Sequence, residues 1–446
     1  MKTQLKLISI TLIIILISFI PNLAGAMQPP QIEAEAAIVI DQRSGTILFA
    51  KDAQRRMFPA STTKILTALL AVETGDLAEI VTVGTEINLV QKDSSLAHLK
   101  FGDTISLGDL IYGLMLPSGN DAAYIIAVHL GRRQAGIPDL SPAAALDVFV
   151  QKMNARALDL GAKDSHFTVP DGYHDENHYT TAYDLSLIAR EAMTHPFIRA
   201  VVFTNMHRAQ SWTGSKIRDW KNNNLLIQAD NDNYYPYATG LKTGYTEEAG
   251  FCLVSSGSYG DMDLIAVSLN SSRDRRWPDA RALLAYGFAN YTWQQLLHAD
   301  EIIQTVNISN GDYGQPDSVA LTAAEGFAGV FAQEDLERIK KQVIIDSSLI
   351  AAEKAPAKSP ASGFSLCAPL VKGQTVGRVL LTLDGRELFS TDLVATQNVA
   401  AQPWWRKLLT PAILLLAACL FSVPAICIYK SKRRRKSDLM RRRRSI

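Results

Sequence analysis

Ser61-Thr-Thr-Lys64, Ser118-Gly-Asn120 and Lys242-Thr-Gly244 stand in this order along the chain. They bring a hydroxyl with an amine one helical turn away, a second hydroxyl with an amide, and a second cation beside a glycine. These are complementary parts of an acyl-transfer site that works through an acylated serine. A serine hydroxyl is a poor nucleophile at neutral pH and needs a base within reach. No Ser-His-Asp arrangement can be read from the chain, so Lys64 is the candidate base. A solvated lysine stays protonated up to a pKa of about 10.4. Burial, or a second cation such as Lys242, lowers that value and frees the amine. Ser118 can pass a proton between Lys64 and a leaving amine, and Asn120 offers a donor and an acceptor to a substrate amide. Gly244 has no side chain to obstruct a peptide laid along a strand. Lys242 and Thr243 suit a terminal carboxylate. Each motif alone is an ordinary cap, turn or strand end. Their joint order carries the reading.

The elements around the motifs fit that chemistry. Ile65, Leu66, Leu69, Leu70 and Val72 recur at helical spacing and Gly75 reads as the stop, so Ser61 opens a buried helix and shares a face with Lys64. At that helix N-terminus, backbone N–H groups and the positive dipole end favour a developing oxyanion. Ala37–Asp41 and Thr46–Ala50 flank a turn as a hairpin. Further helical patterns cover residues 107–116, 121–130, 142–160, 182–193 and 281–291, and strands 250–256 and 263–269 follow the third motif. Residues 165–181, rich in His, Asp, Asn, Tyr and Gly, read as a surface loop. Strands at both ends of a helical middle predict an α+β domain with one closing helix on a single sheet. Residues 297–400 alternate short β-like runs with turns and read as a small all-β module, with residues 351–363 as a loop in it.

The chain has 446 residues and a net charge of +1, with charge concentrated at its ends. Residues 430–446 hold ten basic side chains and one acid, and Lys2 and Lys6 open the chain; without these segments 33 basic and 43 acidic residues remain. A body near −10 argues against nucleic acid as a partner. Residues 1–26 read as a signal peptide: two lysines, an apolar run to Ile20, Pro21, then Ala24-Gly-Ala26. Leu408–Tyr429 is 22 residues without a charge and follows Trp404 and Trp405, which predicts a transmembrane helix with residues 430–446 as a basic cytoplasmic tail. The predicted localisation is single-pass in the cell membrane, with residues 27–407 outside. Cys252 and Cys367 read as two separate buried thiols rather than a disulfide. No helix-borne His pair or close Cys spacing exists, His174 and His178 read as surface polarity, and the chemistry needs no metal or cofactor.

Beyond the motifs, Phe58-Pro-Ala-Ser-Thr-Thr-Lys64, Leu116-Pro-Ser-Gly-Asn-Asp-Ala122, the segment Asp175–Asp184 and Gly240–Gly250 resemble the low-molecular-mass penicillin-binding proteins, serine-type D-Ala-D-Ala carboxypeptidases of the peptidase S11 type. The resemblance covers roughly residues 33–292, and Pro369–Gly377 resembles that group's C-terminal β domain more weakly. It implies a β-lactamase/transpeptidase-like catalytic domain over 27–293, an antiparallel sheet with a helical cluster, followed by the small β-rich domain over 297–400. It implies Ser61 as the acylated nucleophile, Lys64 as its base, Ser118 as relay, and Asn120, Lys242, Thr243 and Gly244 as substrate-binding. The backbone N–H groups of Ser61 and Tyr245 would form the oxyanion hole. One of Arg273, Arg275 and Arg276 would assist with the carboxylate. The implied partners are a peptidoglycan stem peptide ending in D-Ala-D-Ala, β-lactams as inhibitors, and the cytoplasmic membrane through the C-terminal helix. Asp171-Gly172 stands where the group often has His-Gly, and no role is assigned to it. A β-lactamase and a non-catalytic β-lactam-binding wall scaffold are the alternatives.

Overall fold

The structure is a computed structural model that describes residues 28–217, 219–351 and 364–442. The expected signal peptide at 1–26 and most of the 351–363 loop lie outside the described residues. The chain divides into two compact units, one of residues up to 294 with 329–334, the other of 295–328 with the residues from 335 on.

The first unit is built on a five-stranded antiparallel sheet. Its strands are β1 (Ala36–Asp41), β2 (Ile47–Lys51), β3 (Ala238–Thr246), β4 (Gly250–Tyr259) and β5 (Met262–Ser271), in the order β2-β1-β5-β4-β3. Every residue of β1 is buried, because both faces of the sheet are covered. Side chains alternate across a strand. Ala36, Ile38 and Ile40 face the large helical core with Val254, Ile265 and Val267, while Ala37 and Val39 face Leu264, Leu283 and Leu284. The last two belong to the closing helix α7 (Arg276–Asn290). It begins five residues before the expected 281, since Pro278 falls in the first turn, where no intrahelical N–H is needed.

Between β2 and β3 lie α1 (Lys64–Thr74), α2 (Leu107–Met115), α3 (Asn120–Ala135), α4 (Pro142–Asp159), α5 (Ala182–Ala192) and α6 (Pro196–Phe203). A short 3₁₀ turn, Ala60–Thr63, leads into α1, and the first eight residues of α1 are all buried. A helix apolar on all sides belongs in a core, and α1 is the axis of the cluster. Ser106, Ser141 and Thr181 cap α2, α4 and α5, each accepting a backbone N–H of the first turn.

The second unit holds a six-stranded sheet of Ile302–Ser309, Ser318–Ala323, Ile339–Ile345, Ser365–Cys367, Thr375–Leu383 and Arg386–Ala395 around Val306, Val319, Leu321, Val379 and Leu393. After it, Trp404–Arg442 form one helix of 39 residues. This corrects the expected transmembrane helix at 408–429. The helix does not stop where the basic run begins; uncharged and strongly cationic turns belong to one helix. Among the described residues no helix is long and apolar enough to cross a membrane. Cys252 and Cys367 are free thiols.

Candidate active site

Three segments of the first unit meet at one cleft of about 820 Å³, lined among others by Ser61, Ser118, Asn120, Thr243, Tyr245 and Arg276. Ser61 enters from the 3₁₀ turn. The residue before it, Ala60, has φ +48°, a left-handed conformation that a side chain disfavours. Two contacts hold that bend. The Thr62 hydroxyl donates to the Pro59 carbonyl at 2.6 Å. Strand β3 closes from the other side, where a Cβ on Gly244 would stand 3.0 Å from the Pro59 oxygen and 3.1 Å from the Ser61 nitrogen. The absent side chain of Gly244 thus lets the strand approach the serine's own backbone, a use of glycine different from the open path expected for a peptide.

Lys64 lies at the floor of this arrangement, fully buried. Its ammonium nitrogen reaches Ser61 Oγ at 2.8 Å, Asn120 Oδ1 at 2.7 Å and the Asp171 carbonyl at 2.7 Å. An ammonium has three protons, and all three are spoken for. Loss of one leaves two N–H groups for the two fixed acceptors and aims the lone pair at the Ser61 hydroxyl. Burial lowers the Lys64 pKa to about 8, against the opposing pull of Asp171 and Asp121. Lys242, on β3, is also buried, and its pKa is pushed well below the usual lysine value by burial, then by Lys64 and Arg276. Its ammonium donates to the Thr243 carbonyl at 3.0 Å. The Lys242 amine thus stands behind the wall, and Thr243 and Arg276 line the cleft there.

The second motif is a strained turn held by its neighbours. Ser118 has φ +65°. Gly119 N–H donates to the Gly113 carbonyl and Asn120 N–H to the Ser95 carbonyl at 2.8 Å. The buried Asp121 carboxylate accepts the Ala97 and Leu99 N–H groups at 2.8 and 2.9 Å, which clamps residues 97–99 beneath the turn.

The segment 165–181, expected at the surface, is a wall of the site: Asp171, His178, Thr180 and Thr181 are buried. Three side chains of α1 and the turn before it bolt onto it, through Lys64, through Thr67 Oγ1 to the Pro170 carbonyl at 2.6 Å, and through Thr63 Oγ1 to His178 Nε2 at 2.8 Å. The Thr168 N–H donates to His178 Nδ1, so Nε2 carries the proton and donates to Thr63. Burial lowers the His178 pKa to about 3, and the ring is neutral. The expectation of surface polarity for His178 is overturned: its polar atoms are satisfied inside the wall. Gly172 has φ +80°, and a Cβ there would stand 1.9 Å from the Ala60 oxygen. The Asp171-Gly172 peptide is wedged between the Ser61 segment and Lys64.

The three arginines separate cleanly. Arg275 ion-pairs with Glu33 and Asp279 at 3.7 Å each. Arg273 lies over the Phe251 ring at 5.5 Å. Only Arg276 of the three lines the cleft, with its guanidinium over Phe251 and Trp277 at 4.7 and 4.5 Å. Elsewhere Glu73, Glu191 and His195 are close enough to hold a metal ion, but Arg156 occupies that group, donating to Glu73 at 2.6 Å and Glu191 at 2.8 Å.

The family model of D-alanyl-D-alanine carboxypeptidases (peptidase S11) matches residues 24–273, and that of the penicillin-binding protein 5 C-terminal domain matches residues 291–401. The D-alanyl-D-alanine carboxypeptidase DacD of Escherichia coli is 31% identical over 399 residues, 87% of this chain and 92% of its own length. The D-alanyl-D-alanine carboxypeptidase of Streptomyces sp. K15 is 37% identical over 275 residues, 60% of this chain and 91% of its own. Among solved structures, penicillin-binding protein 5 from Haemophilus influenzae superposes with a TM-score of 0.59 at 28% identity, over 84% of this chain and 99% of that one. The Streptomyces K15 DD-transpeptidase does so at 0.54 and 35%, over 59% and 99%.

Proposed function

We propose, from the premise that this chain belongs to the peptidase S11 family of D-alanyl-D-alanine carboxypeptidases, that its serine cleft removes the terminal D-alanine from peptidoglycan stem peptides through an acyl-serine intermediate. The chain is a serine-type carboxypeptidase of the penicillin-binding kind, and β-lactams acylate the same serine. The observation that carries the residue assignment is the 2.8 Å contact between Ser61 Oγ and a buried Lys64 of lowered pKa.

The substrate pairs along the free edge of β3, which has β4 on its other side. Its terminal carboxylate meets Thr243 and Arg276, with Lys242 behind them. Neutral Lys64 takes the Ser61 proton as Oγ attacks the penultimate D-Ala carbonyl. The backbone N–H groups of Ser61 and Tyr245 receive the oxyanion. Ser118 relays the proton to the leaving amine, Asn120 orients the peptide, and water then releases the acyl group. We assign catalysis to residues 27–293 and treat residues 297–400 as a non-catalytic β module. The stem peptide lies outside the cytoplasm, and the enzyme works there.

The test is D-alanine release from diacyl-L-Lys-D-Ala-D-Ala by the full chain, with mass spectrometry of a penicillin adduct. Release and a lasting Ser61 adduct, both absent in Ser61→Ala, are expected. Release by Ser61→Ala at the wild-type rate would end this assignment, and rapid penicillin turnover would favour a β-lactamase.

A further inference from the structure

We infer that Asp171 is a positioning residue of the reaction: its buried carboxylate is the counter-charge that holds Lys64 as a proton carrier between the serine and the leaving amine. The inference rests on the assignment of Lys64 as base and adds a partner that its chemistry requires.

Four features of the geometry support it. Asp171 is fully buried, and its main chain already grips Lys64 through the 2.7 Å bond to its carbonyl. Its carboxylate is only partly satisfied: Oδ1 accepts the Tyr173 N–H at 3.1 Å, while Oδ2 is buried and accepts no protein hydrogen bond among the described residues. Asn120, which binds Lys64 through its oxygen, also interacts with this carboxylate; burial raises the Asp171 pKa, and Lys64, the Tyr173 N–H and Asn120 pull it back towards the charged form, so the charge on Asp171 and that on Lys64 sustain each other. Finally, Gly172 is packed against Ala60 and Thr63, which fixes the main chain that carries Asp171. A purely structural position would satisfy both oxygens or be apolar, because a half-paired buried carboxylate is destabilising.

The proton balance gives the group its task. When Ser61 attacks, its O–H bond breaks and an N–H bond forms on Lys64, which turns from amine to ammonium. The ammonium later gives that proton through Ser118 to the nitrogen of the departing D-alanine, and the amine returns. In between, a full positive charge sits buried beside Lys242. The charged and titratable groups packed around it are few. Asp171 exerts the larger attraction on Lys64 and Asp121, on α3, the smaller. Lys242 on β3 is pushed towards its neutral form by burial, then by Lys64 and by Arg276 of α7. Tyr124 on α3 faces Asp171 and is held protonated by burial and that carboxylate. His178 is neutral.

The experiment is the pH dependence of the second-order acylation rate by a fluorescent penicillin, for the full-length wild type and Asp171→Asn. An opposite charge within about 4–6 Å shifts a pKa by about 1–3 units. The acidic limb of the profile should therefore move down by about one unit or more in Asp171→Asn, with a lower plateau, because the freed amine is a weaker base. An unmoved limb in a variant that melts like the wild type overturns the inference. If Asp171→Asn does not fold, Asp171→Ser is read the same way. NMR of ε-¹³C-lysine in the wild type gives an independent reading: the Lys64 resonance should show a second inflection at acid pH from Asp171, and its absence overturns the inference. A wild type that penicillin does not acylate would instead refute the Ser61 assignment.

Discussion

Gly172→Ala tests the wedge between the 171–172 peptide and the Ser61 segment. The backbone there has φ +80°, and a Cβ would lie 1.9 Å from the Ala60 oxygen, 2.5 Å from its carbonyl carbon and 2.8 Å from Thr63 Oγ1. A side chain in left-handed backbone costs about 1–2 kcal/mol, and overpacking a tight site typically adds roughly 1–3 kcal/mol. The total is about 2–5 kcal/mol, and the obstacle is backbone, which cannot rotate aside. Ordinary contact for a Cβ begins near 3.4 Å, so the two segments must part by about 1.5 Å. That displacement falls on the residue preceding Ser61, and a misplacement of about 1 Å can cost about 10²-fold in rate. Gly102→Ala is the control: φ there is +84° and nothing lies within 4 Å, so it incurs the conformational cost alone. Thermal melting and penicillin acylation are measured on both. Gly172→Ala should melt well below Gly102→Ala, at roughly 2–4 °C per kcal/mol, and lose about two orders of magnitude in acylation while Gly102→Ala keeps it. Equal melting and wild-type acylation in Gly172→Ala would refute the wedge.

Acylation should rise with pH through about 8 and level off, because the competent form of Lys64 is the neutral amine; a rate that falls over that range contradicts its role as base. Arg276→Gln should lower kcat/KM about 10–100-fold for peptides with a free C-terminal carboxylate, as loss of a charged hydrogen bond of about 1.5–3 kcal/mol predicts, and much less for amidated peptides. Arg275→Gln should not. His178 has a folded pKa of about 3, below its ordinary 6.5, so the unfolded chain binds the proton first on acidification. Its contribution is present above about 6.5 and is lost as pH falls towards 3, at about 1.4 kcal/mol per unit. Denaturation midpoints of His178→Gln should fall less steeply than wild type over that window, and equal slopes would exclude a buried neutral ring.

Side-chain chemistry at fixed local spacing is legible in a sequence, and Ser61 with Lys64 shows it: a turn of helix dictates their neighbourhood. The sheet and its closing helix were legible too, since strand and helix periods differ along 36–51, 250–271 and 281–291. What stayed hidden depends on distant packing. The Asp171 carbonyl is a backbone group and leaves no mark in residue type. The polar composition of 165–181 suggests solvent, whereas His178, Thr180 and Thr181 find their partners inside the wall. Arg275 and Arg276 are adjacent and chemically alike, and only the start of α7 decides that one turns to Glu33 and the other to the cleft. That the Lys242 side chain is buried on its strand is likewise not written in its residue type. At the C-terminus, an uncharged run of 22 residues suggests a separate span, and a hydropathy pattern cannot show that the helix continues unbroken through the cations beyond it.

Ser61 and Lys64 ride on the same helical turn, whereas Ser118, Thr243 and Arg276 come from separate segments. Warming or mild denaturant that lets those segments drift apart would thus leave the attacking pair intact. Early thermal damage should therefore lower capture and turnover together, since Ser118 and the Tyr245 N–H, assigned to the proton relay and the oxyanion, come from those same segments, while the Ser61–Lys64 contact outlasts both.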